Sequence, residues 1–195
     1  MSALIPSIDR CLSLMTEFAM LDNIRDHSIM VAQVAETLLA GMETLGDARP
    51  PRDLVISGAL LHDIAKTQCI TDSCDHSKVG KDICIDLGYP EIGEIVREHV
   101  ILASFTVGRY EKGIFLAKEI VYYADKRVLH DRVVSLDARL DYIIERYGNN
   151  DIARHALIRK NFRRCQELEA LIFAHIPYAA EELPFLVPRF PLCNA

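Results

Sequence analysis

The chain has 195 residues, half of them hydrophobic and 26% charged, with nine glycines. That is the make-up of a globular chain with enough apolar material for a full core, and it excludes a disordered one. The net charge of -6 argues against a general nucleic-acid surface, which needs a basic patch, so no duplex partner is expected.

The pattern is helical nearly throughout. From His27, the apolar positions Val31, Val34, Ala35 and Leu38 recur at three- and four-residue steps, which predicts an amphipathic helix ending near Gly41 or Gly46, with Asp26 as its N-cap. After Pro50-Pro51, the run Leu54 to Leu61 is apolar almost all round and predicts a central buried helix, with His62 and Asp63 near its C-terminal end. Ile70 to Asp75 reads as a loop. A helix from about His76 to Leu87 is stopped by Gly88, and Pro90 opens the next, whose Ile92, Ile95, Val96 and His99 share a face. A looser stretch from Ser104 to Gly113 precedes a helix from Ile114 to Asp125.

Two further helices are expected, Leu136 to Tyr147 and Asp151 to about Ile176. The tail from Pro177 holds four of the eight prolines, Pro177, Pro184, Pro188 and Pro191, and is expected to pack as an extended segment. The expected fold class is all-α. One domain covers 1–195, with a helical core over about 22–130, a helical extension over about 131–195 and a proline-rich tail.

No apolar run approaches the roughly 18–20 residues that span a bilayer, and Asp9 and Arg10 come too early for a signal peptide. The six cysteines, Cys11, Cys69, Cys74, Cys84, Cys165 and Cys193, contain no C-x-x-C pair. A cytoplasmic protein with reduced thiols is expected. A homodimer is left open.

His62-Asp63 is the most informative pair. A buried carboxylate costs several kcal/mol unless it is paired or bound to a metal, and an apolar helix has little use for two such residues otherwise. Singly, His27 reads better as a capping or satisfied surface histidine in the first turn of a helix, and Asp125 reads also as an ion-pair partner of Lys126 or Arg127. Together with His76 and His99 they form the order His…His-Asp…His…His…Asp, in which each candidate opens or closes a helix facing a common centre.

That order, over about His27 to Arg127, resembles the HD-domain superfamily of metal-dependent phosphohydrolases. The resemblance implies that His27, His62, Asp63 and Asp125 bind one divalent ion. His76 and His99 mark the subgroup with two metals, in which Asp63 bridges the ions. A nitrogen and oxygen donor set suits iron, manganese, zinc or nickel better than calcium. A pair of ions would hold a hydroxide and clamp phosphate oxygens during in-line attack. Lys66, one turn beyond His62, resembles the lysine that often follows the motif and is expected, with Asp63, to act in catalysis by contacting phosphate or the leaving oxygen; a surface salt bridge is the alternative. Arg25, Lys126 and Arg127 are weaker phosphate contacts. His130, His155 and His175 fall outside the pattern.

The expected activity is hydrolysis of a phosphate ester or phosphoanhydride, with a small phosphorylated substrate, a nucleotide first. Ala65 stands where the common motif has glycine. Gly88-Tyr89-Pro90 is similar to the signature of cyclic-di-GMP phosphodiesterases but lies elsewhere in the order, and it is explained by a helix stop and start. Bacterial symmetrical diadenosine-tetraphosphate hydrolases are nearer in ligand order, with Val100 here in place of their threonine. Di-iron oxygenases of the myo-inositol oxygenase type use the same ligand order, so oxidation is the alternative chemistry. A non-catalytic nucleotide sensor is the third reading.

Overall fold

In the computed structural model, which describes residues 4–187, four helices open on a side-chain cap that the local sequence supplies. Ser7 opens α1 (Ile8–Glu17) by accepting the Arg10 N–H, and the helix buries Cys11, Leu14 and Met15. This helix was not anticipated, although its three- and four-residue apolar spacing was present. α2 (Asp22–Gly41) begins a turn earlier than expected, so Asp26 lies inside it and is not the cap. The reason is tertiary: Leu21, the N-cap residue, donates its backbone N–H to Thr67 Oγ1 at 3.0 Å, which satisfies an orphan donor that sequence proximity could not.

α3 (Arg52–Leu61) is the central helix, and Val55 through Leu61 are all buried. Gly58 permits its close packing: a Cβ there would lie 2.7 Å from Ile95 Cδ1. The next element corrects the loop expected over Ile70 to Asp75. α4 (Lys66–Asp72) takes in Ile70, Thr71 and Asp72, and it ends at Ser73, which adopts the left-handed conformation with φ 53°. That reversal carries Cys74 back to Cys69, and the two form a disulfide with their Cα atoms 4.6 Å apart. The expectation of reduced thiols is therefore corrected at this pair. Cys11, Cys84 and Cys165 are free and buried, and Cys193 lies outside the described residues.

Asp75 caps α5 (His76–Asp86) by accepting the N–H groups of Ser77 and Lys78. Gly88, at φ 84°, then makes the turn, and Pro90 occupies the first turn of α6 (Pro90–Glu98), as its preset φ allows. α5 and α6 form a tightly packed pair. The looser stretch holds one short helix, α7 (Val107–Tyr110), and α8 (Ala117–Lys126) starts three residues later than Ile114. Every residue of α8 except the partly buried Lys118 is buried, and it packs against α2, α3 and α6.

A two-residue antiparallel hairpin, β1 (Val128–Leu129) and β2 (Arg132–Val133), pairs Val128 with Val133. α9 (Leu136–Tyr147) and α10 (Ile152–Phe173) follow as read from the sequence, capped by Ser135 and Asp151. The tail differs from an extended segment. Ala180–Glu182 is a 3-10 turn leading into α11 (Leu183–Leu186), where Pro184 sits in the first turn and needs no donor. Pro188 and Pro191 lie outside the described residues. Apart from the hairpin the described residues are helical or irregular, so the fold is all-α, and buried apolar side chains from Cys11 to Val187 form one continuous core. No described helix is long and apolar enough to cross a membrane.

Candidate metal centre

The fold brings all six expected ligand positions together. His27 enters from the second turn of α2, His62 from the C-cap of α3 with Asp63 directly after it, His76 from the first position of α5, His99 from the C-cap of α6, and Asp125 from the last turn of α8. Helix ends place polar groups in the centre while the helix bodies bury apolar side chains. His62 is fully buried and Asp63 is 1% exposed, so both have left water completely.

Asp63 is shared by two clusters of donors, His27–His62–Asp63 and Asp63–His76–His99. Its two oxygens face different ways. Oδ2 lies 3.3 Å from His62 Nε2, while Oδ1 lies 3.4 Å from His76 Nε2 and 3.5 Å from His99 Nε2. Asp125 Oδ1 joins the first cluster, 3.0 Å from His27 Nε2 and 3.8 Å from His62 Nε2.

The outer nitrogens of three rings are held by backbone carbonyls. His62 Nδ1 donates to Ala59 O at 2.7 Å, His99 Nδ1 to Val96 O at 2.6 Å and His27 Nδ1 to His130 O at 3.1 Å. A ring that spends its proton on a carbonyl presents a lone pair at Nε2, which is how histidine ligands are oriented. Without a cation this arrangement is expensive: His62 Nε2 and Asp63 Oδ1 are buried and have no hydrogen-bond partner. Each faces one of the two donor clusters, Nε2 the cluster of His27 and Asp125 and Oδ1 the pair of His76 and His99, and a buried acceptor left so is relieved by a divalent cation.

Charge follows the same plan. Burial pushes His99 down to about 4 and lowers His27 and His76, leaving neutral rings. His62 is raised instead, because Asp63 outweighs its burial. Burial also opposes ionisation of Asp63 and Asp125, but Lys66 beside the first and Lys126 beside the second hold both carboxyls well below the usual range. Lys66 Nζ lies 2.6 Å from Asp63 Oδ2, so its ion pair is with a buried ligand position and not with the surface. Lys126 Nζ lies 2.7 Å from Asp125 Oδ2 and 2.9 Å from the carbonyl of His99.

Two of the weaker cation candidates are not in the site. Arg25 donates to the Thr16 hydroxyl in an exposed setting, and Arg127 is a structural brace to Tyr123, Glu169 and the carbonyl of Ala180. His130 contributes its backbone carbonyl only. His175 bonds the carbonyl of Tyr110, away from the centre. Reading the sequence missed Arg139, which is buried, with Nη2 3.8 Å from Asp125 Oδ1. Nothing in the phrase Leu136-Asp137-Ala138-Arg139 sets it apart from a solvated arginine.

The HD-domain model matches residues 24–128, more than half of the chain and the whole ligand set. The chain belongs to the HD domain family. An HD domain implies the metal-dependent phosphohydrolase superfamily, and the donor geometry above fits the divalent metal site of that superfamily. Among curated relatives, the HD chain is 28% identical to an uncharacterized protein of Methanocaldococcus jannaschii, over 66% of this chain and 80% of that one. It is also 28% identical to a tRNA (cytidine(56)-2'-O)-methyltransferase of Picrophilus torridus, over 78% of this chain but only 44% of that protein. No solved structure matches.

The HD ligand cluster opens through His76, His99 and Asp125 into a cavity of about 650 Å³. Its other wall comes from α9 and α10, beyond the matched residues, and includes Ile143, Tyr147 and Phe162. Cys69 and Cys74 line the same cavity.

Proposed function

We propose that this HD domain hydrolyses a phosphate ester or phosphoanhydride, with a nucleotide as substrate, using two divalent transition-metal ions held by His27, His62, Asp63 and Asp125 on one side and Asp63, His76 and His99 on the other. The observation that carries the reading is Asp63, whose two oxygens serve two separate histidine clusters at the floor of one cavity. Such ions, when bound, supply an acidified water and charge to offset that of the phosphate.

The chain's own side chains do the rest. His27, His62 and His99 are locked by backbone carbonyls, so the donor set is preorganised. The side chain of Lys66, 28% exposed beside Asp63, lines the cavity, and its ammonium offsets negative charge on the leaving oxygen as the bond from phosphorus to that oxygen breaks. Water supplies the oxygen of the new bond and the proton that the leaving oxygen takes up. Five cationic side chains line the cavity, against the single carboxylate of Asp125. That balance favours a phosphorylated substrate over the neutral polyol an oxygenase of the inositol type would take.

Phosphate release should be measured across a panel of nucleotides and phosphoesters, with the protein loaded anaerobically with manganese or iron. Release should stop with a chelator and return with metal. Lys66→Ala should lower turnover while metal content stays the same. Oxygen uptake coupled to substrate loss, with no phosphate released from any compound, would overturn the hydrolase in favour of the oxygenase. Tight nucleotide binding with no turnover would favour a sensor.

A further inference from the structure

Three of the five cavity cations come from outside the family's matched residues. Arg139 and Arg146 are on α9, and Arg154 is in the first turn of α10. Cations at a protein surface are ordinarily solvated or paired, and a chain of net charge -6 has carboxylates to spare. Among the described residues, however, the guanidinium groups of Arg146 and Arg154 make neither an ion pair nor a hydrogen bond, although each lines the cavity.

Arg139 is more telling. Its side chain is 9% exposed, its nearest carboxylate is Asp125 at 3.8 Å, and its Nε is buried without a hydrogen-bond partner. A buried guanidinium has five donors to satisfy, and leaving them unmet is costly unless an anion arrives to take them. The fork geometry suits phosphate. Arg139 and Arg146 are seven positions apart on one helix, which sets their backbones about 10 Å apart along its axis. One phosphate at the metal centre would leave the outer arginines without an anion.

We propose that the α9–α10 hairpin is a second anion subsite, which selects substrates bearing at least two phosphate groups. Arg139 receives an oxygen of the phosphate held at the metal centre, and Arg146 and Arg154 receive the further phosphate. Tyr147, 47% exposed beside Arg146, offers a flat apolar surface to the base. This inference rests on the phosphate-hydrolase reading for its orientation, but its test is one of binding.

The full chain is reconstituted with manganese and titrated calorimetrically. The probes are the 5′-monophosphates and the uncleavable α,β-methylene diphosphates of adenosine, guanosine, cytidine and uridine. For at least one base the diphosphate should bind about tenfold tighter than the monophosphate, the effect of added charge-assisted bonds. Arg146→Ala combined with Arg154→Ala should bring the diphosphate to the monophosphate level with the melting temperature unchanged, since both residues are exposed.

Arg139 is buried and its alanine variant is at risk of misfolding. Arg139→Lys, which keeps charge and loses the fork, should weaken both ligands about tenfold. Its metal content should be retained. Equal affinity for the two ligands with every base, no binding of any nucleotide, or a gap that survives the double substitution would each overturn the subsite. Failure of the hydrolase reading shows separately, as a persisting diphosphate preference with no phosphate release from any compound.

Discussion

His27 Nδ1 lies 3.1 Å from the carbonyl oxygen of His130, so the turn between β1 and β2 orients the first ring of the candidate metal site across 103 positions of chain. His130 does this from a left-handed backbone, φ 56°, and its ring faces Tyr142 instead of the centre. The backbone is therefore the functional part. His130→Gly should keep its full metal content and stay within about 1 kcal/mol of the parent stability, because glycine adopts that conformation without strain. Metal analysis with a denaturant titration checks it. Lost metal would mean that the imidazole itself matters.

Because Asp63 serves both clusters, its substitution should differ in kind from the others. Asp63→Ala should cost both ions, with affinity falling by more than the roughly 10–100-fold typical of an outer-sphere change. His76→Ala or His99→Ala should spare the cluster of His27, His62 and Asp125. Metal stoichiometry after dialysis distinguishes the two outcomes. Equal loss from all three variants would argue against a shared carboxylate.

That the six candidate positions share one centre was legible in the sequence for a physical reason. His62, Asp63 and Asp125 are polar residues at the ends of buried helices, where burial would be prohibitive without a partner, and the interruptions stand out. The N-terminus of α2 was not legible, because its first donor is satisfied by Thr67, far away in sequence. The Cys69–Cys74 bridge was hidden for a similar reason: only the left-handed turn at Ser73 brings the two together. Arg139 looks like any other arginine on an amphipathic helix until the fold buries it beside Asp125.

Lys126 is 6% exposed, with its ammonium on Asp125, on the carbonyl of His99 and over the Tyr122 ring at 4.9 Å. Lys126→Met keeps the packing and takes the nearest cation from a buried carboxylate, whose Oδ1 keeps His27 at 3.0 Å and Arg139 at 3.8 Å while Oδ2 loses its partner. In the metal-free protein this should cost about 3–5 kcal/mol. Added manganese should recover part of it by giving Asp125 another cation. Chemical denaturation with chelator and with metal tests both halves. Equal losses in the two conditions would place Asp125 away from any ion.

The Cys69–Cys74 bridge closes a short loop immediately before His76, with a sequence separation of five. Reducing it, or replacing both cysteines by serine, should lower stability by about 2 kcal/mol on the chain-entropy account. It should also weaken the ion nearest His76 before the other. Denaturant midpoints with and without reductant, alongside metal content, follow the two effects, and alkylation with mass measurement establishes the thiol state. Unchanged stability and metal content on reduction would leave the bridge without a role in the site.

The hairpin of α9 and α10 lies downstream of every candidate ligand in the chain, yet it walls the cavity they open into. Its consequence is evolutionary. Insertions, deletions and swaps in one contiguous stretch can alter what is admitted while the donors that would do the cutting stay untouched. That wall of the cavity and the six candidate ligand positions are thus encoded in separate stretches of chain.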